Sequence, residues 1–246
     1  MNKEIKPLKF SGKWDFDPAP ESVDHISLKD QYGLFINGKF ENPQTSNYFP
    51  SINPANEEHL SMIAEAGEKD INAAVSAARK AFDGPWSKMS AKERGKYIFR
   101  IARLIQEKSR ELAVIETLDG GKPIRESRDV DVPIAAAHFF YYAGWTDKLN
   151  YAFPNRNPKP VGVAGQVIPW NFPLMMAAWK IAPALAMGNT VVIKPAEYTS
   201  LSALLFAEIC VEAGLPEGVV NVLTGDGRVG ETVSYTHLTL PTTVSV

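Results

Sequence analysis

Three apolar runs that alternate with two helix-like stretches constrain the fold of this chain more than any other feature of its sequence. The runs "VGVAGQVI", "TVVIKP" and "GVVNVL" lie within residues 161–223, and helix-like stretches at 174–187 and 200–213 separate them. Runs that are apolar almost throughout are typical of parallel strands buried on both faces. Right-handed crossovers would bring such strands into one sheet. The sequence therefore predicts an α/β fold with a doubly wound parallel sheet.

Prolines and turn-forming residues indicate how the chain before this sheet is divided into segments. Prolines interrupt residues 1–31, which we predict to form a flexible polar arm. The segment "GLFINGKFE" places Asn37 and Gly38 between apolar pairs, and this pattern predicts a β-hairpin because both residues tolerate positive φ. Helical periodicity begins at Glu68 and continues to about residue 150. The segment 32–150 is therefore predicted to be a hairpin followed by helices.

Cap and breaker residues set the helix boundaries in this part. Ser90 and Glu93 have the spacing of a capping box, which predicts that a helix begins there. A further helix is predicted to start near Ser109 and to end at Gly120, and another to run from Pro123 to about Leu149. Asp129 and Asp131, in the last of these, are predicted to lie on a solvated helix face.

The two ends of the sheet region are marked by composition. The stretch "NRNPKP" is rich in Asn and Pro and predicts a linker, so we assign 151–232 to the first part of a nucleotide-binding domain. The final segment 233–246, "VSYTHLTLPTTVSV", is rich in Thr and β-branched residues, which disfavour a helix. We interpret it as a non-native tail that resembles translated sequencing adapter; the alternative is a divergent end that forms a short strand.

Composition excludes several function classes. The net charge is −2, the pI is about 6.1 and the basic residues do not cluster, so a nucleic-acid partner is not expected. No apolar run has the length of a membrane span, and the start of the chain has no apolar signal region. The single cysteine allows no internal disulfide and suits a reducing compartment, so we predict a cytoplasmic protein. Its four histidines are far apart and no Cys/His ligand spacing occurs, so no metal is expected.

Polar or glycine-rich segments follow each of the three predicted strands. They are "IPWN" at 168–171, "KPAE" at 194–197 and "TGDGRVG" at 224–230. Ligands of open α/β sheets bind in the crevice outside the carboxyl ends of the strands. The sequence therefore predicts a binding site formed by these three segments. The glycine run matches G-x-G-x-x-G, but a tight strand-to-helix turn explains it equally well, and the acidic residue expected about 20 positions later is not found.

Lys194 and Glu197 form a candidate clamp for a ribose, because an ammonium can donate to its hydroxyls and a carboxylate can accept from them. A surface ion pair is the alternative. Pro195 favours the clamp, since it fixes the backbone between the two side chains.

Asn171 is the candidate catalytic residue. Pro169 and Pro173 stiffen the loop around it, and Trp170 and Phe172 can exclude water from it. A carboxamide held there could donate a hydrogen bond to an oxygen that gains negative charge in a transition state. The alternative is that Asn171 caps the following helix, and both roles are compatible.

The segment from "VGVAGQVIPWNFP" to "VVNVLTG" closely resembles the aldehyde dehydrogenase superfamily. Upstream, "LFINGKF", "TLDGGKP" and "YYAGW" match its N-terminal half in order, so the resemblance covers about residues 32–232. It implies a truncated Rossmann-like fold and oxidation of an aldehyde to a carboxylic acid. In that scheme a Cys thiolate attacks the aldehyde, hydride passes to the nicotinamide, and a Glu-activated water releases the acid. It also implies a homo-oligomer for the intact protein.

The resemblance assigns roles to individual positions. Asn171 matches the oxyanion donor. The positions that match cofactor contacts are Ile168, Pro169, Trp170, Lys194, Glu197, Gly227 and Gly230. A Glu at 197 favours NAD over NADP, because it would repel a 2′-phosphate. The glycine run then lies over the adenine side of the cofactor rather than around its pyrophosphate.

The chain departs from the family in what it lacks. The nucleophilic Cys and the general-base Glu lie downstream of these motifs in the family, and this chain stops before them. Cys210 is predicted to be a buried core thiol rather than a nucleophile. The segment "NYAFPNRNPKP" is shorter than the hairpin that helps to hold family subunits together, which leaves the oligomeric state open. Met175 and Trp179 are one helical turn apart and are either substrate-tunnel or core residues.

Three functional hypotheses follow. The first is an N-terminal fragment of an NAD-dependent aldehyde dehydrogenase, itself inactive. The second is a non-catalytic dinucleotide-binding or interaction module, whose three-strand half-sheet would leave an open edge. The third is a complete dehydrogenase of another Rossmann type, which would need a Tyr/Lys or His/Asp pair near the nicotinamide, and no such spacing stands out in the sequence.

Overall fold

The computed structural model describes residues 23–156 and 158–236, with side chains to 233. Its strands are β1 (Gln31–Tyr32), β2 (Leu34–Ile36), β3 (Lys39–Glu41), β4 (Tyr48–Ile52), β5 (His59–Ala64), β6 (Val163–Val167), β7 (Thr190–Lys194) and β8 (Val220–Val222). Its helices are α1 (Glu68–Ala81), α2 (Ala91–Glu107), α3 (Ser109–Gly120), α4 (Ile124–Glu126), α5 (Val132–Trp145), α6 (Leu149–Ala152), α7 (Pro173–Ala186), α8 (Leu201–Glu212) and α9 (Gly227–Thr236). None of these described helices combines the length and the apolar character of a bilayer-crossing segment.

The predicted α/β fold with parallel strands is confirmed. Strands β6, β7 and β8 are parallel neighbours, and each crossover between them contains one helix, α7 or α8. Successive residues of β7 face opposite sides of the sheet. Val191 and Ile193 pack into the larger core with α7 and α8, and Val192 packs with α1 on the other side. Burial on both faces explains why β7 is apolar at the consecutive positions 191–193 rather than at alternate ones.

The predicted hairpin is also confirmed, but its partner is one that the sequence did not indicate. Asn37 and Gly38 have φ values of 52° and 83° and connect β2 to β3. Strand β2 then pairs antiparallel with β8 at Phe35 and Val222, so the described sheet has the order β3-β2-β8-β7-β6. The expectation of a three-strand half-sheet is therefore wrong, because the hairpin extends the sheet at β8, whereas β6 still forms an edge of the described sheet.

The hairpin turn provides a test of this arrangement. We expect Gly38→Ala to lower the free energy of unfolding by about 1 kcal/mol, because an alanine at positive φ is strained. A Cβ at this position would also lie 2.8 Å from Cγ of Glu217. The measurement is urea denaturation followed by tryptophan fluorescence. Gly144→Ala is the matched control: this glycine lies inside α5 in open space, so its replacement should be neutral or stabilising. Equal destabilisation by both variants would contradict the assigned turn.

The predicted helix from Pro123 to Leu149 is interrupted. Helix α4 is followed by a π-helical turn at Ser127–Asp131, and α5 then ends at Trp145. Pro133 lies in the first turn of α5 and has no N–H to donate to the preceding turn, which explains why the regular helix restarts there. The other predicted helices begin and end within one or two residues of the prediction, and the capping box of Ser90 and Glu93 is present.

A second described sheet, in the order β1-β5-β4, was not predicted. The predicted arm is only partly visible: residues 1–22 lie outside the described residues, whereas the chain at 29–31 contacts β5. The Ser61 hydroxyl donates to the Lys29 carbonyl over 2.8 Å, and the Met62 N–H donates to the Asp30 carbonyl. Most of the predicted tail, 237–246, lies outside the described residues. Its first four residues, 233–236, continue α9, so the expectation that the helix is disfavoured there is wrong.

Candidate functional site

The three predicted segments meet at one edge of the parallel sheet. Val167 at the end of β6 is the register partner of Lys194 at the end of β7. The Ile168 N–H donates to the Lys194 carbonyl over 2.9 Å, and the Leu223 N–H donates to the Ile193 carbonyl over 2.8 Å. The strand pairing therefore continues up to the segments "IPWN", "KPAE" and "TGDGRVG". It brings them side by side at the carboxyl ends of the strands, where a binding site was predicted.

Lys194 and Glu197 form an ion pair across Pro195. Nζ of Lys194 lies 3.1 Å from Oε2 of Glu197, and the two side chains are 4% and 35% exposed. Lys194 is thus buried, so this is not an ordinary surface pair. The pKa of Glu197 is lowered, first by a hydrogen bond from its own backbone N–H and then by Lys194, while burial and the nearby Asp226 oppose this. The carboxylate is therefore ionised at neutral pH and partly accessible to a ligand.

The glycine run forms the turn from β8 into α9. Gly225 has φ of 144°, and the Arg228 N–H donates to Oδ1 of Asp226 over 2.9 Å, which closes the turn. Gly230 faces the ends of β6 and β7: a Cβ added there would lie 3.8 Å from Cδ of Lys194 and 3.9 Å from Cγ2 of Val167. The first turns of α9 therefore lie directly over the Lys194 side chain, while Gly227 faces open space.

The loop that contains Asn171 is open to solvent in this chain. Ile168 is 2% exposed and Pro169 is half-buried, but Trp170 is 62% exposed and Asn171 is also exposed. The expectation that Trp170 excludes water from the loop is not met by the described residues, because most of the Trp170 side chain is exposed. The capping alternative is not supported either. The N-cap position of α7 is Phe172, and the Asn171 side chain makes no hydrogen bond to any described residue.

The first turn of α7 is instead capped by a residue distant in sequence. Oε1 of Glu116, on α3, accepts a hydrogen bond from the Leu174 N–H over 3.1 Å, and the Glu116 side chain is buried. Nζ of Lys122 lies 3.7 Å from the centroid of the Phe172 ring and forms an ion pair with the fully buried Asp131. The prediction that Asp131 lies on a solvated face is therefore wrong, whereas Asp129 is exposed and paired with Arg128.

A second carboxylate of α3 caps α8 in the same way. Oδ2 of Asp119 accepts from the Leu201 N–H over 2.8 Å, and its Oδ1 accepts from the Ser51 hydroxyl over 2.6 Å. Burial raises the pKa of Asp119 to about 6, against the effect of these two hydrogen bonds. Neither carboxylate was predicted from the sequence. The available signal was their position: they lie one turn apart in "LAVIETLDG", on a helix whose neighbouring residues are apolar.

The pKa of Glu116 is raised further, to about 7. Burial is the largest cause, and the nearby Asp131 acts in the same direction. The hydrogen bond from the Leu174 N–H and the charge of Lys122 oppose the shift. Glu116 therefore changes its charge near neutral pH while it contacts the helix that follows Asn171.

The three remaining candidate residues, Cys210, Met175 and Trp179, differ in how far they are buried. Cys210 is buried in α8, and burial raises the pKa of its thiol, as expected for a core cysteine. Met175 is buried, whereas Trp179 is 44% exposed and its ring centroid lies 5.5 Å from that of His138. Of the two, only Trp179 is therefore available to a ligand.

A cleft of about 500 Å³ adjoins the predicted site. It lies between the β4 region and the loops after β6 and β7, and its lining residues are Phe49, Pro50, Ser51, Ile52, Pro54, Asp119, Gly120, Trp170, Glu197, Tyr198 and Thr199. Another cleft, of about 570 Å³, is formed mainly by α2 and α5 and involves none of the three strand-end segments among the described residues. Size alone therefore does not identify the site, and the chemistry of the lining residues favours the first cleft.

Known proteins similar to this chain share one family description. The profile of the aldehyde dehydrogenase family matches residues 40–239. The chain is 46% identical over 215 residues to the mitochondrial aldehyde dehydrogenase family 2 member B4 of Arabidopsis thaliana, which covers 83% of this chain and 40% of that protein. It is also 46% identical, over 214 residues, to the mitochondrial benzaldehyde dehydrogenase of Antirrhinum majus, with the same coverage. The chain thus spans about 40% of the length of these curated relatives.

Solved structures agree with these relatives. An NAD+ complex of the aldehyde dehydrogenase from Bacillus cereus superposes with a TM-score of 0.79 at 43% identity, over 85% of this chain and 46% of that one. An indole-3-acetaldehyde dehydrogenase in complex with NAD+ gives a TM-score of 0.81 at 37% identity, over 86% of this chain and 44% of that one. The described residues therefore share both sequence and backbone course with somewhat less than half of the length of such proteins.

Proposed function

The chain belongs to the aldehyde dehydrogenase family, and from this premise we propose that it supplies the NAD site and the oxyanion donor of an enzyme that oxidises an aldehyde to a carboxylic acid. The observation that carries the proposal is the buried Lys194 held 3.1 Å from Glu197 at the end of β7, beside the loop of Asn171. NAD, when bound, accepts the hydride. Relatives solved with NAD+ support this choice of cofactor.

The residues present fit such a cofactor. Lys194 has donors and Glu197 has acceptors for two neighbouring ribose hydroxyls, and the pair is already in place without a ligand. Gly230 leaves room over Lys194 that a side chain would fill. We propose that Ile168, Pro169 and Trp170 form one wall of the site, with Gly227 and Gly230 on the opposite side.

Asn171 is proposed to act on the substrate rather than on the cofactor. Its carboxamide is exposed and has no hydrogen-bond partner among the described residues, so its N–H donors are free for an oxygen that becomes negatively charged. A donor placed in advance stabilises that charge without reorganisation at the moment of reaction. Cys210 is buried, so the nucleophile is proposed to come from outside this chain.

Selectivity for NAD over NADP is proposed to come from Glu197. Its pKa is lowered, so it carries a negative charge at neutral pH and would repel a 2′-phosphate. We expect Glu197→Gln to weaken NAD binding about tenfold, because a charged hydrogen bond to the ribose is lost, and to narrow the preference for NAD. Isothermal titration with NAD and NADP measures both effects. Glu217→Gln, which removes an exposed carboxylate elsewhere, should change neither. An unchanged preference in Glu197→Gln would refute the assignment.

The proposed function is tested with two proteins. One is the chain as it stands, and the other is a longer protein in which a family C-terminal half follows residue 232. We expect NAD binding by both, and aldehyde-dependent NADH formation by the longer protein alone. Binding without chemistry in both proteins would favour the non-catalytic nucleotide-binding module instead. NADH formation by the chain alone would show that the nucleophile lies within it, against the proposal.

Other properties of the intact protein remain proposals. We propose a homo-oligomer, on the resemblance to the family, and a cytoplasmic location, on the single cysteine. Both relatives described above are named as mitochondrial, so a cellular location has to be measured directly, for example by tagging the intact protein.

A further inference from the structure

The backbone at the start of α7 lacks the usual means of capping a helix. A helix leaves its first N–H groups without partners, and a side chain at the N-cap position normally accepts from one of them. Here the N-cap residue is Phe172, which has no acceptor in its side chain, and the next residue is Pro173, which has no N–H. The first free N–H of the helix therefore belongs to Leu174, three residues after Asn171.

Glu116 satisfies this N–H from another part of the chain. Its Oε1 accepts from Leu174 over 3.1 Å, and both residues are buried, so water does not compete for the bond. A carboxylate at a helix N-terminus is also favoured by the helix dipole. Lys122, six residues after Glu116, contacts the Phe172 ring and is held by Asp131. One segment, 116–122, thus anchors the residues that immediately follow Asn171.

We propose that Glu116 is a positioning residue whose carboxylate, through the Leu174 N–H, determines where the loop before α7 presents the Asn171 amide. The proposal rests on the proposed function, because the position of the Asn171 amide matters only if the amide donates to the reacting oxygen. Glu116 itself contacts neither substrate nor cofactor; it acts through the first turn of α7.

A change in the charge of Glu116 should therefore affect the Asn171 amide. Its surroundings are the Leu174 N–H of α7, the Ser202 hydroxyl of α8, the ammonium of Lys122 and the carboxylate of Asp131. Together with burial, they set its pKa to about 7. Protonation weakens the bond to Leu174, since a neutral carboxyl is a poorer acceptor than a carboxylate. The position of the Asn171 amide is then expected to change over the same pH range.

The test is an NMR titration of the ¹⁵N-labelled chain from about pH 5.5 to about pH 8.5. We expect the Leu174 backbone N–H and the Asn171 side-chain NH2 to shift together, with a common midpoint near the Glu116 pKa of about 7. In Glu116→Gln, which keeps an oxygen acceptor and the fold, both shifts should lose this midpoint. In Glu116→Ala, the exchange protection of the Leu174 N–H should fall about tenfold or more, because its acceptor is gone.

Glu126→Gln is the matched control, since it removes an exposed carboxylate of the neighbouring helix α4 and should leave both titrations unchanged. If Leu174 titrates and the Asn171 amide does not, Glu116 is only a structural cap and the proposal is overturned. It is also overturned if both titrate unchanged in Glu116→Gln. The readout requires no catalysis, so a failure of the proposed oxyanion role, seen as full activity of Asn171→Ala in the longer protein, is a separate result.

Discussion

Replacing Asn171 with alanine in the longer, catalytically complete protein is expected to lower kcat by roughly 10²–10³, the usual effect of removing one oxyanion donor. The reason is that the Asn171 amide has no competing hydrogen bond among the described residues, so its whole donor capacity is available to the reacting oxygen. The Km for NAD should change little, because Lys194 and Glu197 lie on the neighbouring strand end and do not depend on this amide.

The measurement is steady-state NADH formation with a fixed aldehyde, together with titration of NAD binding. Asn150→Ala serves as the control, because Asn150 is an exposed asparagine in α6, away from the strand ends, and its removal should leave kcat unaltered. Asn171→Asp should be at least as harmful as Asn171→Ala, since a carboxylate would repel an oxyanion. A kcat of Asn171→Ala within a factor of about two of the wild type would rule out the oxyanion role.

The second large expected effect is a dependence of the free energy of unfolding on pH. Glu116 and Asp119 have folded-state pKa values of about 7 and about 6, both raised from their ordinary values by burial. The folded state therefore holds protons that the unfolded state has already released between about pH 4.5 and 7. The stability that these groups contribute is present at the acidic end of this range and is lost as pH rises through their folded pKa values. The pKa of Glu116 shifts from 4.5 to about 7, so it alone should account for on the order of 3 kcal/mol.

Urea denaturation at a series of pH values measures this dependence. We expect the free energy of unfolding to fall by a few kcal/mol between about pH 5 and about pH 8. Glu116→Gln should remove much of the slope, and combining it with Asp119→Asn should nearly flatten the profile. Glu126→Gln, an exposed change of the same charge, should leave the slope as it is in the wild type. A stability that stays constant or rises over this interval would show that the two carboxyls are not held in the environments described.

The elements of the fold were largely predictable because their signals are local. The strands β6, β7 and β8 follow from apolar runs, the Asn37-Gly38 turn from two residues that accept positive φ, and the start of α2 from the pair Ser90 and Glu93. Each signal lies within a few residues of its consequence. The small sheet β1-β5-β4 escaped prediction because β1 has only two residues and pairs with β5, which is distant in sequence, and because β4 contains Pro50.

The candidate site was likewise predictable where its signals are local and unpredictable where they are not. The three segments at the strand ends could be placed at one edge of a sheet from the order of strands and helices alone. The exposure of Trp170 could not be predicted, since an aromatic residue in a loop is usually largely covered, whereas 62% of Trp170 is exposed among the described residues. The burial of Asp131 also contradicted its local pattern, because Lys122 compensates its charge in the folded chain.

The sequence by itself determined most of the elements and their order, the parallel sheet and the identity of the residues at its carboxyl edge, since periodicity, turn chemistry and short motifs act over a few neighbouring residues. Only the tertiary structure decided how those residues are held. It paired the hairpin with β8, and it brought Glu116 to Leu174 and Asp119 to Leu201, across 58 and 82 residues of sequence. A helix N–H that has no acceptor nearby in the chain must find one in space, and the partner it finds depends on how the whole core packs.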